Sequence, residues 1–191
     1  MKNLYFLLTF LITAVQPVIA QTAWRIEPGK YIGNTKLGVS GEELGKQLGH
    51  PDGGDAAMGK AWSIWYSHKA DNSLDSSRYL AVYLSIGAVG SGNEGMHVKQ
   101  VRINTASFKT KAGIKVGSSY ASVKKAFPHI SRAAVYEDTM RHKRLELYDD
   151  VKGGIAFEIA GKVCTAVTVH ESGESMNTYI QFPGYEGYIK R

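Results

Sequence analysis

The sequence predicts an α+β fold made of two tandem repeats, each of them a helix followed by a small antiparallel sheet. The first observation behind this prediction is a helix-start pattern that begins at Lys36 and again at Lys115, 79 residues later. The second is that apolar residues after each copy recur with a period of two, which is typical of half-buried strands. The third is that short polar or glycine-rich segments connect those strands, which favours antiparallel hairpins.

The first twenty residues have the pattern of a secretory signal peptide. Lys2 supplies the positive start, an apolar run follows over 4–15, and small residues precede Gln21. That run is shorter than the ~20 residues that a membrane span needs. We therefore expect cleavage after Ala20 and a periplasmic or secreted product. Gln21 stands where a lipoprotein has its lipid-modified Cys, so we expect no membrane anchor after cleavage.

The net charge and the distribution of basic residues indicate which classes of partner the protein can bind. Across 191 residues, 23 Lys and Arg face 17 Asp and Glu, a net charge of +6. The basic residues are scattered, with the densest group at 140–144, so we expect no nucleic-acid partner.

Cys164 is the only cysteine, which excludes a disulfide within the chain. We interpret it as a packed thiol in a strand, with a bridge to another chain as the alternative.

The first copy of the pattern contains the start and the end of a helix. Ser40 and Glu43 stand three residues apart, the spacing of a capping box in which the Ser hydroxyl accepts from a backbone amide. Leu44 and Leu48 are four apart and share one helix face. Gly49 then supplies a left-handed stop.

The second copy repeats this order of residue types. Gly117 precedes the cap, Ser119 takes the cap position, and Val123 and Phe127 take the two apolar positions. Pro128 follows directly and cannot continue a helix. The sequence therefore predicts a second helix that starts at Ser119.

Alternating apolar residues after each helix predict the strands. Those of the first repeat cover 61–66, 79–86 and 97–103, and those of the second cover 144–148, 154–159 and 162–169, with 133–137 as a further strand. The predicted organisation is a signal peptide (1–20), a first α+β repeat (21–104), a second α+β repeat (105–172) and a C-terminal aromatic tail (173–191). The sequence leaves open whether this tail packs on the domain or extends from it.

The helix-start motif resembles that of two families. The pattern G-x-S-x-x-E/Q-(V/L)-x-x-x-L-G-x-P, followed by strands and then repeated, is similar to the β-lactamase inhibitory protein family and to the SmpA/OmlA outer-membrane assembly lipoprotein domain. The residues that carry the match are Gly38, Ser40, Glu43, Leu44, Leu48, Gly49 and Pro51, then Gly117, Ser119, Val123, Phe127 and Pro128. The resemblance implies a tandem α+β fold of the inhibitory-protein type. This chain lacks both the disulfides of the first family and the anchoring Cys of the second, and neither activity transfers to particular residues.

Residues suited to catalysis or metal binding form no recognisable motif. The histidines lack metal-ligand spacing; they are His50, His68, His97, His129, His142 and His170. Ser40 lacks the second glycine of a nucleophile elbow, because Glu42 stands there. His170 lies six residues from Cys164 on one strand, about 20 Å away at ~3.3 Å per residue. The glycine-rich run 87–95 leads into a strand, so we interpret it as a hairpin tip and not as a phosphate loop. We expect no cofactor and no metal.

The outward face of the predicted sheets is the candidate partner-binding surface. Alternation places Leu80, Val82 and Leu84 towards the helix, so their neighbours point away from it. The outward set is Tyr79, Tyr83, Gln100, Arg102, Arg144, Glu146 and Tyr148. Tyr and Arg offer large contact area with a polar group and are enriched at binding hot spots. An ordinary solvated sheet face is the alternative.

These observations favour an exported, non-enzymatic protein-binding module of the inhibitor, immunity or envelope-assembly type, which uses an open sheet face to bind another envelope or secreted protein. One alternative is a binder of cell-wall glycan or a small ligand through surface aromatics, which a concave pocket lined by Tyr or Trp would favour. The other alternative is a small envelope hydrolase, which requires a His within ~3.5 Å of Cys164 or of a Ser.

Overall fold

Strands are the main regular structure in the described part of the chain. The computed structural model describes residues 25–87 and 95–191, so the predicted signal peptide and most of the glycine-rich run at 87–95 lie outside the described residues. The described part has two helices of eight and seven residues against thirteen strands. The predicted α+β class with two balanced helix-plus-sheet repeats is therefore wrong, because the protein is mainly β with two sheets. Each helix-start motif encodes only two turns of helix, too little to form a layer equal to the sheet.

The helices are α1 (Gly41–Leu48) and α2 (Tyr120–Ala126). The strands in chain order are β1 (Arg25–Glu27), β2 (Tyr31–Ile32), β3 (Thr35–Lys36), β4 (Gly53–Ala57), β5 (Lys60–His68), β6 (Leu74–Ile86), β7 (Met96–Ile103), β8 (Lys109–Thr110), β9 (Ser131–Asp138), β10 (Lys143–Asp150), β11 (Ile155–Ala160), β12 (Val163–His170) and β13 (Ile189–Lys190).

Nine strands form one continuous antiparallel sheet in the order β13-β9-β10-β11-β12-β7-β6-β5-β4. Strand β12 pairs with β7, with Val167 opposite Ile103 and Val169 opposite Val101. This pairing joins the strands of the two predicted repeats edge to edge. Without this pairing, β12 and β7 would each be an edge strand with unpaired backbone groups.

A smaller sheet and the two helices cover one face of the large sheet. The smaller sheet has the order β3-β2-β1-β8, with β1 and β8 parallel. Its buried residues Ile26 and Ile32 share one core with Leu44 of α1, Val123 of α2 and sheet residues such as Val101. We call this the helix face of the large sheet.

Both helices start as the sequence predicts. The Ser40 hydroxyl accepts a hydrogen bond from the backbone amide of Glu43 at 3.1 Å. The Ser119 hydroxyl accepts one from the amide of Ser122, also at 3.1 Å. Gly49 ends α1 with a φ of +75°, in the left-handed region that favours glycine. These local bonds need no tertiary contact, which is why the sequence alone reveals them.

The repeated glycine before each cap docks its helix onto the sheet. Gly38 donates its amide to the carbonyl of Val98 on β7 at 2.8 Å, and Gly117 donates to Cys164 on β12 at 2.8 Å. Their φ values are +79° and +93°. A residue with a Cβ is strained at such angles, so the motif requires glycine there. The recurrence in the sequence thus corresponds to two equivalent docking loops.

The C-terminal tail (173–191) covers the opposite face of the large sheet. Met176 and Ile180 pack against Leu145 and Leu147 of β10. Phe182 packs in a second cluster with Trp62, Ile64, Tyr79 and Ala81. We call this the tail face. The sheet is therefore buried on both sides, and its strands carry apolar residues on both sides.

The glycines of the first helix-start motif provide a test of the docking loop. We expect Gly38→Ala to destabilise the protein by about 1–2 kcal/mol, because its φ is positive although no heavy atom obstructs a Cβ. The control Gly45→Ala lies in the exposed interior of α1, also with no heavy atom in the way. It should stabilise by up to ~1 kcal/mol. Chemical denaturation measures both, and equal effects would contradict the assigned loop conformation.

Candidate functional site

The tail face carries four residues of the predicted partner-binding set. Tyr79 and Arg102 are each 1% exposed and Gln100 is 4% exposed, while Tyr83 is half-buried. The expectation that they form an open surface is wrong, because the tail lies over them. When the tail packs on the sheet, its apolar side chains leave water, which is favourable. In an extended tail the same side chains would stay exposed to water.

The other three residues of that set lie on the opposite side of the sheet. In the register of β10 and β11, Tyr148 stands opposite Phe157, which belongs to the core of the helix face. Glu146 and the exposed Arg144 share that side, and Leu147 packs beneath the tail. The seven residues therefore do not form one surface. The sequence prediction failed because β10 has apolar contacts on both faces, so alternation alone does not tell which face each helix covers.

A buried ion pair ties the tail to the sheet. Arg102 Nε donates to Glu158 Oε1 at 2.6 Å and Nη2 donates to Oε2 at 2.8 Å, a bidentate pair. The Tyr185 hydroxyl of the tail donates to the same carboxylate at 2.8 Å. Phe182 adds a ring whose centroid lies 4.5 Å from the guanidinium carbon. Burial alone would lower the pKa of Arg102, but the Glu158 charge raises it well above its ordinary value. Arg102 therefore keeps its charge within the tail–sheet interface.

The beginning of the tail is fixed by a buried carboxylate. Asp149 Oδ1 lies 2.8 Å from His170 Nε2, and its Oδ2 accepts from the amide of Met176 at 2.9 Å. The other ring nitrogen of His170 lies 3.1 Å from the carbonyl oxygen of Glu171. These contacts therefore hold the start of the tail next to β10 and to the end of β12.

Five side chains form a single row across five strands of the tail face. In the registers of the sheet, Asp55 is opposite Trp62, Trp62 is opposite Tyr83, Tyr83 is opposite Gln100, and Gln100 is opposite His170. Residues directly opposite each other in antiparallel strands point to the same side. We call Asp55, Trp62, Tyr83, Gln100 and His170 the cross-strand row.

Two adjoining cavities lie between the cross-strand row and the tail. One has a volume of about 580 Å³ and is lined by Gln100 and His170 of the row. The other, of about 340 Å³, is lined by Asp55 and Trp62 of the row and by Tyr179 of the tail. Both are lined by Lys60, Tyr83 and Asn177, so they adjoin, and we call the two together the cleft. Volumes of this size are typical of ligand sites.

Two buried polar atoms of the cleft lining have no hydrogen-bond partner among the described residues. They are the indole nitrogen Nε1 of Trp62 and the amide oxygen Oε1 of Gln100. The Trp62 ring stacks on Tyr179 with centroids 5.8 Å apart and lies 5.2 Å from the ring of Tyr83. An unpaired buried polar group costs ~1–3 kcal/mol, so each of these atoms favours a bound group that pairs with it.

A β-bulge brings a cationic side chain to the cleft. Tyr83 pairs with Gln100 and Leu84 pairs with Val98, which leaves Lys99 as the extra residue of β7. Lys99 Nζ donates to Glu171 Oε1 at 3.0 Å. Bulges often redirect a side chain beside a functional site, and here the bulge lies next to Gln100.

The side chains suited to nucleophilic chemistry already have other partners. Cys164 Sγ donates to the Ala166 carbonyl at 3.4 Å. Burial, followed by the negative charge of Glu158, raises the pKa of the Cys164 thiol to about 12, so the thiolate is scarce at neutral pH. Both ring nitrogens of His170 lie beside oxygen atoms, as described above. Within residues 25–87 and 95–191, no cluster of three His, Cys, Asp or Glu side chains could hold a metal.

The sequence named only part of the cleft. Tyr83 and Gln100 belonged to the predicted partner-binding surface. Asp55 and His170 were missed as site residues. Their place in the row depends on strand register across the sheet, for which the sequence carries no local signal.

No protein-family model, curated protein or solved structure matches this chain. The resemblance of the helix-start motif to the two families therefore stays a prediction. In the described part of the chain, neither helix is long and apolar enough to cross a membrane.

The buried ion pair gives a test of how the tail is held. We expect Glu158→Ala to destabilise the protein by about 3–5 kcal/mol, because it leaves the Arg102 charge buried without its partner. The control is Glu146→Ala, which removes a carboxylate paired with arginines that are 53% and 55% exposed. That change should cost less than ~1 kcal/mol. Urea denaturation compares the two, and a similar loss for both would show that the Arg102–Glu158 pair is not a major source of stability.

Proposed function

We propose that the protein is an exported, non-enzymatic binding protein whose cleft holds a glycan segment or a small ligand through aromatic contacts. The observation that carries this proposal is the cleft itself, with its Trp62, Tyr83 and Tyr179 rings and two buried polar atoms left unpaired by the described residues. Export rests on the signal-peptide pattern of residues 1–20.

The position of the tail is the reason for preferring the cleft to an open sheet face. A protein partner that bound Tyr79 and Arg102 would have to displace Phe182 and Tyr185, and with them the contacts of the buried ion pair. A ligand in the cleft requires no such displacement. Instead, the tail supplies one wall of the cleft through residues such as Asn177 and Tyr179.

The lining of the cleft supports binding more than reaction. The envelope hydrolase considered from the sequence needs a base with a free lone pair next to a nucleophile. His170 is the histidine of the lining, and its two nitrogens lie 2.8 Å from Asp149 Oδ1 and 3.1 Å from the carbonyl oxygen of Glu171. The role of His170 is therefore to hold the tail beside β12.

Two tryptophans on opposite faces of β5 provide a matched test. Trp62→Phe keeps an aromatic ring in the cleft but removes the unpaired indole N–H. Trp65→Phe makes the same change on the helix face, where the Trp65 indole donates to Gly49. Isothermal titration calorimetry would screen a panel of neutral oligosaccharides, dipeptides, nucleotides and fatty acids. We expect at least one compound to bind saturably, with an affinity that falls roughly tenfold, about 1.4 kcal/mol, in Trp62→Phe only.

Two results would contradict the proposed function. One is that no compound in the panel binds the protein. The other is that Trp62→Phe and Trp65→Phe weaken binding equally, because a ligand in the cleft contacts only one face of β5. Circular dichroism of both variants establishes that they are folded before binding is compared.

A further inference from the structure

We propose that the ligand of the cleft is a neutral oligosaccharide of several sugar rings that lies across the strands, along the cross-strand row. This inference rests on the proposed function of the cleft and names the chemical class of its ligand. It follows from the length of the row, from the two unpaired polar atoms, from the aromatic rings and from the balance of charge.

The cross-strand row is long and straight. It runs from Asp55 on β4 to His170 on β12 and so crosses four gaps between neighbouring strands. At ~4.8 Å for each gap, the row is ~19 Å long. A single sugar ring or an amino acid would occupy only part of it. A linear chain of several rings is needed to extend from the Asp55 end to the His170 end.

The two unpaired atoms of the cleft lining favour a ligand that both accepts and donates hydrogen bonds. The Trp62 indole N–H is a donor, and Gln100 Oε1 is an acceptor. They are two strands apart in the row, so they face different points of the ligand, ~10 Å from each other. A hydroxyl group both donates and accepts, and a sugar chain presents hydroxyls at intervals along its whole length. Such a chain can therefore satisfy both atoms at once.

The aromatic side chains match the less polar faces of sugar rings. At one end of the cleft, the ring centroids of Tyr83 and Tyr179 lie 5.2 Å and 5.8 Å from the centroid of Trp62. Tyr83 and Tyr179 are only half-buried, so part of each ring remains accessible. A sugar ring has C–H groups on its faces and hydroxyls around its rim. It can lie against these rings while its rim reaches polar atoms, which a uniformly apolar ligand cannot do.

The charges around the cleft are of both signs. Lys99 pairs with Glu171 at 3.0 Å. Lys60 is an additional cation of the lining, and Asp55 and Glu174 are additional anions. A nucleotide or another strongly anionic ligand is typically bound by a cluster of Arg, Lys or backbone amides without opposing carboxylates. The mixed lining therefore favours a ligand without net charge.

The position of the cleft also argues against a peptide. Extended peptides gain most of their affinity by adding a strand at a free sheet edge. The strands beneath Trp62, Tyr83 and Gln100 are β5, β6 and β7, and each has a neighbouring strand on both sides. Their backbone groups are already used within the sheet, so a peptide lying across them would find only side-chain partners.

Calorimetry with sugars of increasing length tests the inference. The probes are glucose and N-acetylglucosamine, their β-1,4-linked dimers to hexamers, maltohexaose and xylohexaose. We expect no measurable binding of the monosaccharides. For at least one series, affinity should rise at least tenfold between the dimer and the tetramer and then level off, when the row of ~19 Å is filled. No binding of any of these oligosaccharides would overturn the inference.

Two glutamine variants then locate the bound sugar. Gln100→Leu removes the unpaired acceptor and leaves a side chain of similar size, so we expect a folded protein whose affinity for the oligosaccharide is about tenfold lower. Gln47→Leu changes an exposed glutamine of α1 on the helix face and should leave affinity unchanged. Equal effects of the two changes would overturn the inference.

The panel used to test the proposed function separates the two possible failures. A dipeptide, nucleotide or fatty acid that binds, and that Trp62→Phe weakens, would overturn the oligosaccharide inference and leave the cleft as the binding site. If no compound of any class binds, both the inference and the proposed function fail.

Discussion

The ion pair between Arg102 and Glu158 is the interaction on which the tail face depends. It is enclosed between the sheet below and the aromatic rings of the tail above. Two charges removed from water cost several kcal/mol each unless they are paired and hydrogen-bonded, so the tail can cover these two charges only because they pair with each other. The Tyr185 hydroxyl completes the carboxylate's partners from the tail side. The tail and the charged pair therefore depend on each other: the tail covers the sheet there because the charges are paired, and its Tyr185 hydroxyl contributes to that pairing.

This mutual dependence changes what the sheet face can do. A face that carries Tyr, Arg and Gln would be suited to a protein partner if it were exposed. Here the tail covers much of that face, and the cleft lies where the cross-strand row passes beside residues 174–179. Antiparallel register makes that row straight, because opposite residues share a side. The same geometry that covers Tyr79 thus leaves Trp62, Tyr83 and Gln100 along a cleft, with a row long enough for an extended ligand.

Both faces of the large sheet are covered by thin layers. On the helix face, two short helices and a small sheet surround Leu44, Val123 and Ile26. On the tail face, a chain of few regular hydrogen bonds is held by side chains, chiefly Met176, Phe182 and Tyr185. A sheet buried on both sides excludes water from its backbone bonds, which suits a rigid floor for a binding site. The cleft therefore has one wall of regular strands and one wall of irregular chain.

The sequence by itself determined the elements whose causes are local. The caps at Ser40 and Ser119 need only residues three apart, and β5–β7 and β9–β12 needed only a period of two, whereas β1–β4, β8 and β13 were not predicted. The fold class could not be read from them, because the motif marks where a helix starts and not how much of the core it forms. Tertiary structure alone decided which faces of the strands meet the helices, where the tail lies, and which residues stand opposite one another. Those outcomes depend on burial and on register between strands that are far apart in the sequence, so Asp55, Trp62 and His170 came to lie in one row only when the chain folded.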